Sequence, residues 1–410
     1  MARFSVAIFL TLSALNSWRT AAGASLSASR AIPFDPGFDI FQVAQLAEAL
    51  PSHSWEYGTA SEALLELHER DVSVFGDYPF PPPVLSADDS RSLAYASTKF
   101  NLSTGSNTLI YGDGAVGDPA SLGISAYLLG MTNATLAAAA KRELDYVLNH
   151  APRFWNGAIS QRYNYPELWA DFMYMAPPFI AYYGAATDNF DILQQAVDQC
   201  RLQRAILLAN DTYVSGAWTH ILGPASTDPG VWSTGNGWAA AGMTRVLATV
   251  LKAPVAKANR RWRDDAAQEL SYYIQEILDA AMNSDLDDFL LRNYWNDYLN
   301  SDGHGYGETS GTSLLAAVAY RMAAMPEWVL PEWKALDYAS WGDWVRRTLG
   351  GTDESGNPHV TSNGTVTPSV NPLNWGDKTP YTAGSPEGQN FVVLMYAAWR
   401  DCVYADVCER

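Results

Sequence analysis

The chain has 410 residues, 48% of them hydrophobic and 12% aromatic, and a formal net charge of −18 at pH 7. That charge argues against nucleic acid or an anionic membrane surface as a partner, and an anionic substrate would need a local basic or hydrogen-bonding pocket. Three cysteines are too few for a disulfide framework, so a large apolar core has to carry the fold.

At the start of the chain, Arg3 precedes an apolar run from Val6 to Leu15, and Ala22-Gly23-Ala24 offers the small residues a signal peptidase requires. Residues 1–24 are therefore expected to be an export signal, and 25–410 a single domain. No later stretch is apolar over the roughly 20 residues a membrane span needs. Acceptor sequons at Asn101, Asn133, Asn210 and Asn363 agree with a secreted, extracellular glycoprotein. Near the other end, Cys402 and Cys408 can close a small loop, which leaves Cys200 as a buried thiol.

Between these ends two kinds of helix alternate. One kind is built largely of small and apolar residues and begins at a glycine- or proline-marked turn: EYGTASEALLEL near Gly58, VGDPASLGISAYLLG near Asp118, PELWADFMYM near Asp171, STGNGWAAAGMTRVLATVL near Gly235, GETSGTSLLAAVAYRM near Glu308 and SPEGQNFVVLMYAAW near Ser385. The other kind is amphipathic, with apolar residues at helical spacing: 38–50, 90–100, 141–150, 191–208, 261–278 and 331–345. Helices apolar nearly all round are buried, and those with one polar face lie outside. Six of each predict an all-α (α/α)6 toroid, with an open α-solenoid as the alternative. TLIYG (108–112) is a short β-like run, too little for a sheet-based core.

In a closed ring the six inner helices would start at one mouth. Their unpaired N–H groups and positive partial charge suit an anionic or polyhydroxylated ligand. Asp118, Asp171, Asn236, Glu308 and Glu387 fall at or near these starts, although Glu308 and Glu387 also read as cap or first-turn acids. Asp171 stands apart because ELWADFMYMAPPFIAYYG (167–184), read as helix, surrounds it with apolar and aromatic residues. Burial disfavours the ionised carboxylate, and a retained proton is what a general acid needs. Pro166 and Pro177-Pro178 are expected to bound or kink that helix.

In order along the chain, WEYG (55–58), GDPASLG (117–123), LWADFMYMAPPFIA (168–181), WSTGNGW (232–238), ETSGTS (308–313) and SPEGQNFVVLMYAAWRD (385–401) resemble the unsaturated rhamnogalacturonyl and glucuronyl hydrolases of glycoside hydrolase families 105 and 88. The resemblance spans about Trp55 to Asp401 and implies a six-hairpin toroid. It also implies a substrate, an oligosaccharide whose non-reducing end is a 4,5-unsaturated uronic acid, and a reaction that hydrates the enol-ether double bond. The separation rule for paired carboxylates in ordinary glycosidases then does not apply. No cofactor is implied, and the chain is expected to act as a monomer.

Carried onto this sequence, the resemblance makes Asp171 the general acid/base and Asp118 the second acidic residue. It suggests His220, Trp232 and Trp238 as substrate contacts, Tyr57 as an aromatic near the mouth and Asn236 as part of the same wall. Two positions depart from the family pattern. Thr234 stands where an arginine commonly serves the uronate carboxylate, and Gln161 where a histidine is often found. A threonine can hydrogen-bond an anion but offers no bidentate cationic fork. Arg162, Arg153 and Lys378 remain candidates for that role.

Two other readings stay open. Endo-acting α-mannanase-like (α/α)6 hydrolases often use adjacent aspartates, and Asp88-Asp89, Asp264-Asp265 and Asp287-Asp288 are such pairs. Their positions on or beside outer helices and loops favour solvated faces. A glycan-binding protein that kept the toroid and lost catalysis is the third. The histidines lack HExxH spacing, the cysteines lack CxxC pairs, and neither a Walker lysine nor a G-x-S-x-G elbow occurs.

Overall fold

Capping residues mark where the outer helices begin. Asp39 Oδ1 accepts from the N–H groups of Phe41 and Gln42 at 3.1 Å to start the Ile40–Ala49 helix. Ser90, Asn133 and Asn189 do the same for Arg91–Ser97, Ala134–Asp145 and Phe190–Leu207. Each oxygen satisfies a backbone donor the helix itself cannot. Arg260–Met282 and Glu332–Leu349 complete the outer set. In this computed structural model the described residues are 31–104, 108–209, 214–296 and 305–410, so the expected export signal at 1–24 and the Asn210 sequon lie outside them. Among the described residues no helix is long and apolar enough to cross a membrane.

The inner helices are Ser54–His68, Gly117–Ala120 continued by Gly123–Gly130, Phe172–Met175 continued by Pro177–Ala186, Ser233–Lys252, Thr309–Ala323 and Pro386–Tyr404. Each packs on the next, and Pro386–Tyr404 packs back on Ser54–His68. The ring is closed, so the structure is the (α/α)6 toroid and not an open solenoid. Glycine makes the close approach possible at two crossings. A Cβ on Gly58 would fall 1.9 Å from Ser121 Oγ, and one on Gly242 would fall 1.9 Å from the Met173 carbonyl oxygen.

Local readings change in two places. The stretch around Asp171 is not one helix: Leu168–Trp169 is a strand, Asp171 is the N-cap of the single turn Phe172–Met175, and a second helix starts at Pro177. The proline that breaks the ladder is tolerated there because it occupies the first helical turn. TLIYG forms no strand, since Glu143 Oε2 takes the Thr108 and Leu109 N–H groups at 2.6 and 3.3 Å. Cys402 and Cys408 are joined in a disulfide and Cys200 is a buried free thiol.

Opposite the mouth, the ring is plugged by ions. Arg245 reaches Glu62 at 2.7 Å and Glu66 at 2.5 Å, while Arg321 reaches Glu66 at 2.7 Å and Asp401 at 2.5 Å. These groups sit in the later turns of four inner helices, where guanidinium charge also meets the negative end of the helix dipoles.

Candidate active site

The mouth holds a cavity of about 290 Å³, at the lower end of the size range of small-molecule sites. Its foundation is a small antiparallel sheet in which Leu168–Trp169 pairs with Ile221–Leu222, and that strand pairs with Thr227–Asp228. This register sets Trp169, Ile221 and Asp228 in one row, and the adjacent His220 meets the Asp228 carboxylate and the Trp169 ring. The Ala170 N–H donates to the His220 carbonyl at 2.9 Å, which fixes the turn that presents Asp171. Asp118 arrives from the first turn of its helix, and its Oδ1 accepts from Gln161 Nε2 at 2.8 Å.

His220 is fully buried between two carboxylates. Its Nδ1 lies 2.9 Å from Asp228 Oδ2, and its Nε2 lies 3.4 Å from Asp171 Oδ2. Burial alone would lower its pKa, but Asp171 and Asp228 together hold it above the ordinary histidine value. Asp228 is held low: burial opposes this, and the His220 contact, Lys378 and the Tyr294 hydroxyl outweigh it. Asp171 itself has a side chain 18% exposed, so it faces an imidazole and the cavity rather than hydrocarbon. The carboxyl that burial keeps protonated is Asp118, pushed up to about 7 against the lowering effects of Gln161 and Arg162. Glu387, buried and close to the charge of Asp171, is raised well above the usual range and accepts from Trp55 Nε1 at 3.0 Å.

Asp118, Asp171, Arg162 and Trp232 line this cavity. The other expected contacts do not. Tyr57 packs against Ala60, Leu64 and Tyr95 with the Lys99 ammonium over its ring, and Trp55 takes the mouth position instead. Two residues along a helix amount to a rotation of about 200°, so the two side chains cannot share a face. His220 stands behind Asp171. Thr234 is buried and donates to Glu308 Oε1 at 3.0 Å. Asn236 is fastened to the backbone of Trp218 and Trp232. Trp238 is core, 4.6 Å from the rings of both Tyr174 and Phe391. Glu308 is an N-cap that accepts from the Gly311 N–H at 2.8 Å.

Of the three basic candidates, only Arg162 reaches the wall. Its guanidinium lies 4.5 Å over the Trp169 ring, with Nε 3.9 Å from Glu167. Arg153 donates to the carbonyls of Leu148 and Gly157, and Lys378 lies 3.8 Å from Asp228. None of the three adjacent-aspartate pairs lines the cavity.

The residues missed from sequence are His53, Asp113, Trp169, Trp375 and Asp228. Trp375 comes from the loop 371–375 and meets Trp169 edge-on at 6.2 Å. A lone tryptophan in NPLNWGDKTP, a segment rich in turn residues, was the available signal, because loops on a rigid scaffold carry binding groups.

The model of Glycosyl Hydrolase Family 88 matches residues 118–325, slightly more than half of the chain. The chain belongs to glycosyl hydrolase family 88. Solved structures place this family 88 chain among relatives of the same fold. A glycoside hydrolase from family 105 of C. acetobutylicum ATCC 824 superposes with a TM-score of 0.61 at 16% identity, over 88% of this chain and 99% of that one. An unsaturated glucuronyl hydrolase specific for heparin gives 0.57 at 12%, over 93% and 99%. The GH76A alpha-1,6-mannanase from Salegentibacter sp. HEL1_6 gives 0.57 at 14%, over 90% and 100%. At these identities the likeness concerns the toroid, not the substrate. No curated protein sequence matches significantly. Membership of family 88 makes the chain a glycoside hydrolase.

Proposed function

We propose that this glycoside hydrolase removes a 4,5-unsaturated uronic acid from the non-reducing end of lyase-generated oligosaccharides by hydrating the double bond. The observation that carries the reading is the pairing of Asp171 with His220 on the wall of a cavity that also holds the buried Asp118. Asp171 gives a proton to C4 of the ring, the double-bond electrons forming the new C4–H bond while positive charge develops on C5 and the ring oxygen. Water then adds to C5 and loses its proton to Asp171. The hemiketal opens by breaking the bond between C5 and the ring oxygen. This leaves a hemiacetal at C1, which collapses to an aldehyde and frees the remaining saccharide. His220, whose charged form is favoured by its two carboxylates, sits where it can exchange a proton with Asp171.

Asp118 is a neutral donor to the sugar hydroxyls below about pH 7, burial favours the neutral form of Glu387 in the same cavity, and Arg162 is the cation for the uronate carboxylate. Trp169, Trp232 and Trp375 give the ring apolar walls. An α-mannanase-like mechanism finds no adjacent aspartates in the cavity, and a purely binding role would not call for both carboxyls.

In the same reading the protein is exported after loss of residues 1–24, acts as a single-domain monomer and is glycosylated. Asn101, Asn133 and Asn363 are exposed, and Asn133 caps its helix through Oδ1, leaving Nδ2 for a glycan. The test is loss of enol absorbance on incubation with unsaturated uronyl oligosaccharides from pectic and glycosaminoglycan sources. No turnover across both sets overturns the reading. Given turnover, Asp171→Asn is expected to lower kcat by about 10²- to 10⁴-fold with an unchanged melting curve, and a near-normal rate removes Asp171 from its role.

A further inference from the structure

Beside the deep cavity runs an open groove of about 240 Å³, lined by Tyr111, Asp113, Gly114, Arg162, Tyr163 and Tyr165 with Asn164. It shares Asp113 and Arg162 with the cavity wall, so the two spaces adjoin at these side chains. Tyr111 is 65% exposed and Tyr163 39% exposed, and both rings offer faces to the groove region without being needed in the core. Singly exposed aromatics are unremarkable on a surface. Here two flank one channel that leads out of the site.

The floor of the groove is built rather than loose. Tyr163 N–H donates to the Gly114 carbonyl at 3.1 Å, Ala115 and Arg162 form an antiparallel bridge, and Ser160 Oγ donates to the Tyr165 carbonyl at 2.8 Å. Gly114 has φ +88°, and a Cβ there would sit 3.4 Å from the Tyr163 ring. A side chain would be strained at that φ, so glycine is the residue that suits this turn beside the tyrosine. Among the described residues the lining contains aromatic, amide and carboxylate groups, with Arg162 its one cation. It therefore offers stacking surfaces and hydrogen bonds, and with Arg162 engaged by the uronate carboxylate no cation is left for an added sulfate.

We propose that this groove is the subsite for the leaving saccharide, and that it takes neutral, unsulfated sugar residues stacked on Tyr163 and Tyr111. The proposal rests on the hydrolase reading for its direction: the terminal unsaturated uronate enters the deep cavity, and the next residues pass Asp113 and Arg162 into the groove. Chain length then becomes part of specificity, because the disaccharide leaves most of the groove empty.

The experiment compares unsaturated di-, tri- and tetrasaccharides on the intact protein and on Tyr163→Ala and Tyr111→Ala, together with calorimetric binding of the corresponding saturated neutral trisaccharide. For the wild type, kcat/KM should rise from di- to tetrasaccharide. Each variant should lose about three- to ten-fold on the longer substrates while the disaccharide is unchanged, and Tyr163→Ala should weaken binding of the saturated trisaccharide by a similar factor. Rates that ignore length, or variants that slow every length equally, overturn the groove but leave the hydrolase reading standing. Absence of turnover on every substrate overturns the hydrolase reading. In that case Tyr163-dependent binding of the saturated trisaccharide retains a saccharide groove, and its absence removes the groove as well.

Discussion

Asp228 lies behind the cavity wall, where its Oδ2 accepts from the Tyr294 hydroxyl at 2.8 Å as well as facing His220 Nδ1 at 2.9 Å. That contact leaves Nε2 as the nitrogen directed at Asp171, so in the proposed reaction Asp228 orients the imidazole and favours its charged form. Asp228→Asn can keep the hydrogen bond but not the charge. The His220 pKa should fall, with kcat lowered by at least about tenfold and the alkaline limb of the kcat–pH profile displaced to lower pH. A lower kcat with an unmoved limb would reduce Asp228 to a structural part. Sequence made Asp118 and Asp171 legible because each is an acid at the start of an apolar helix. It could not show Asp228, which follows an unremarkable loop and reaches the site only through strand pairing. Thr234 illustrates the opposite error. Its position in WSTGNGW suggested the cavity, but the helix turns it inward to Glu308, and an arginine there would bury a charge in place of a donor.

At the scale of elements, the alternation of small-residue and amphipathic segments was sufficient for the toroid, because burial around the whole circumference leaves a helix no other place. Breaks within inner helices were harder to read. The turn from Trp169 to Phe172 is created by pairing with Ile221–Leu222, a partner more than fifty residues later, and no local propensity encodes that. The crossing at Gly242 ties this turn to the ring. Gly242→Ala sets a methyl 1.9 Å from the Met173 carbonyl, so the backbone two residues from Asp171 must shift. Overpacking of this kind should cost about 1–3 kcal/mol. It should also lower kcat, read from denaturant unfolding and from turnover of the same variant. Loss of stability with full kcat would mean that the shift is absorbed away from Asp171.

For the whole molecule, buried acids set how stability varies with pH. Burial pushes Glu69, Asp118, Glu143 and Glu308 each up to about 7. A carboxyl raised on folding contributes stability that is complete below its unfolded pKa near 4 and is lost as pH rises through 7. His220, also raised, adds to that loss above its ordinary value near 6.5. Asp228 and Asp401 are held low, despite burial, by His220 and by Arg321 with Arg400, so their contribution disappears as pH falls below about 4. The melting temperature should therefore peak near pH 4 and decline toward pH 8, a trend strengthened by self-repulsion at a net charge of −18. A flat or rising Tm from pH 5 to 8 would mean that these carboxyls ionise in the folded protein without penalty.

Ring closure gives the molecule a seam. The other packings between adjacent inner helices join hairpins that are neighbours along the chain, but Pro386–Tyr404 must find Ser54–His68 across more than three hundred residues. Trp55 and Glu387, which meet across that seam, are also walls of the cavity. During synthesis five hairpins can stack as they emerge, whereas the last helix has to leave the ribosome before the seam can shut. Catalytic competence is thus the final thing this chain acquires, gained in the same event that removes its two open edges.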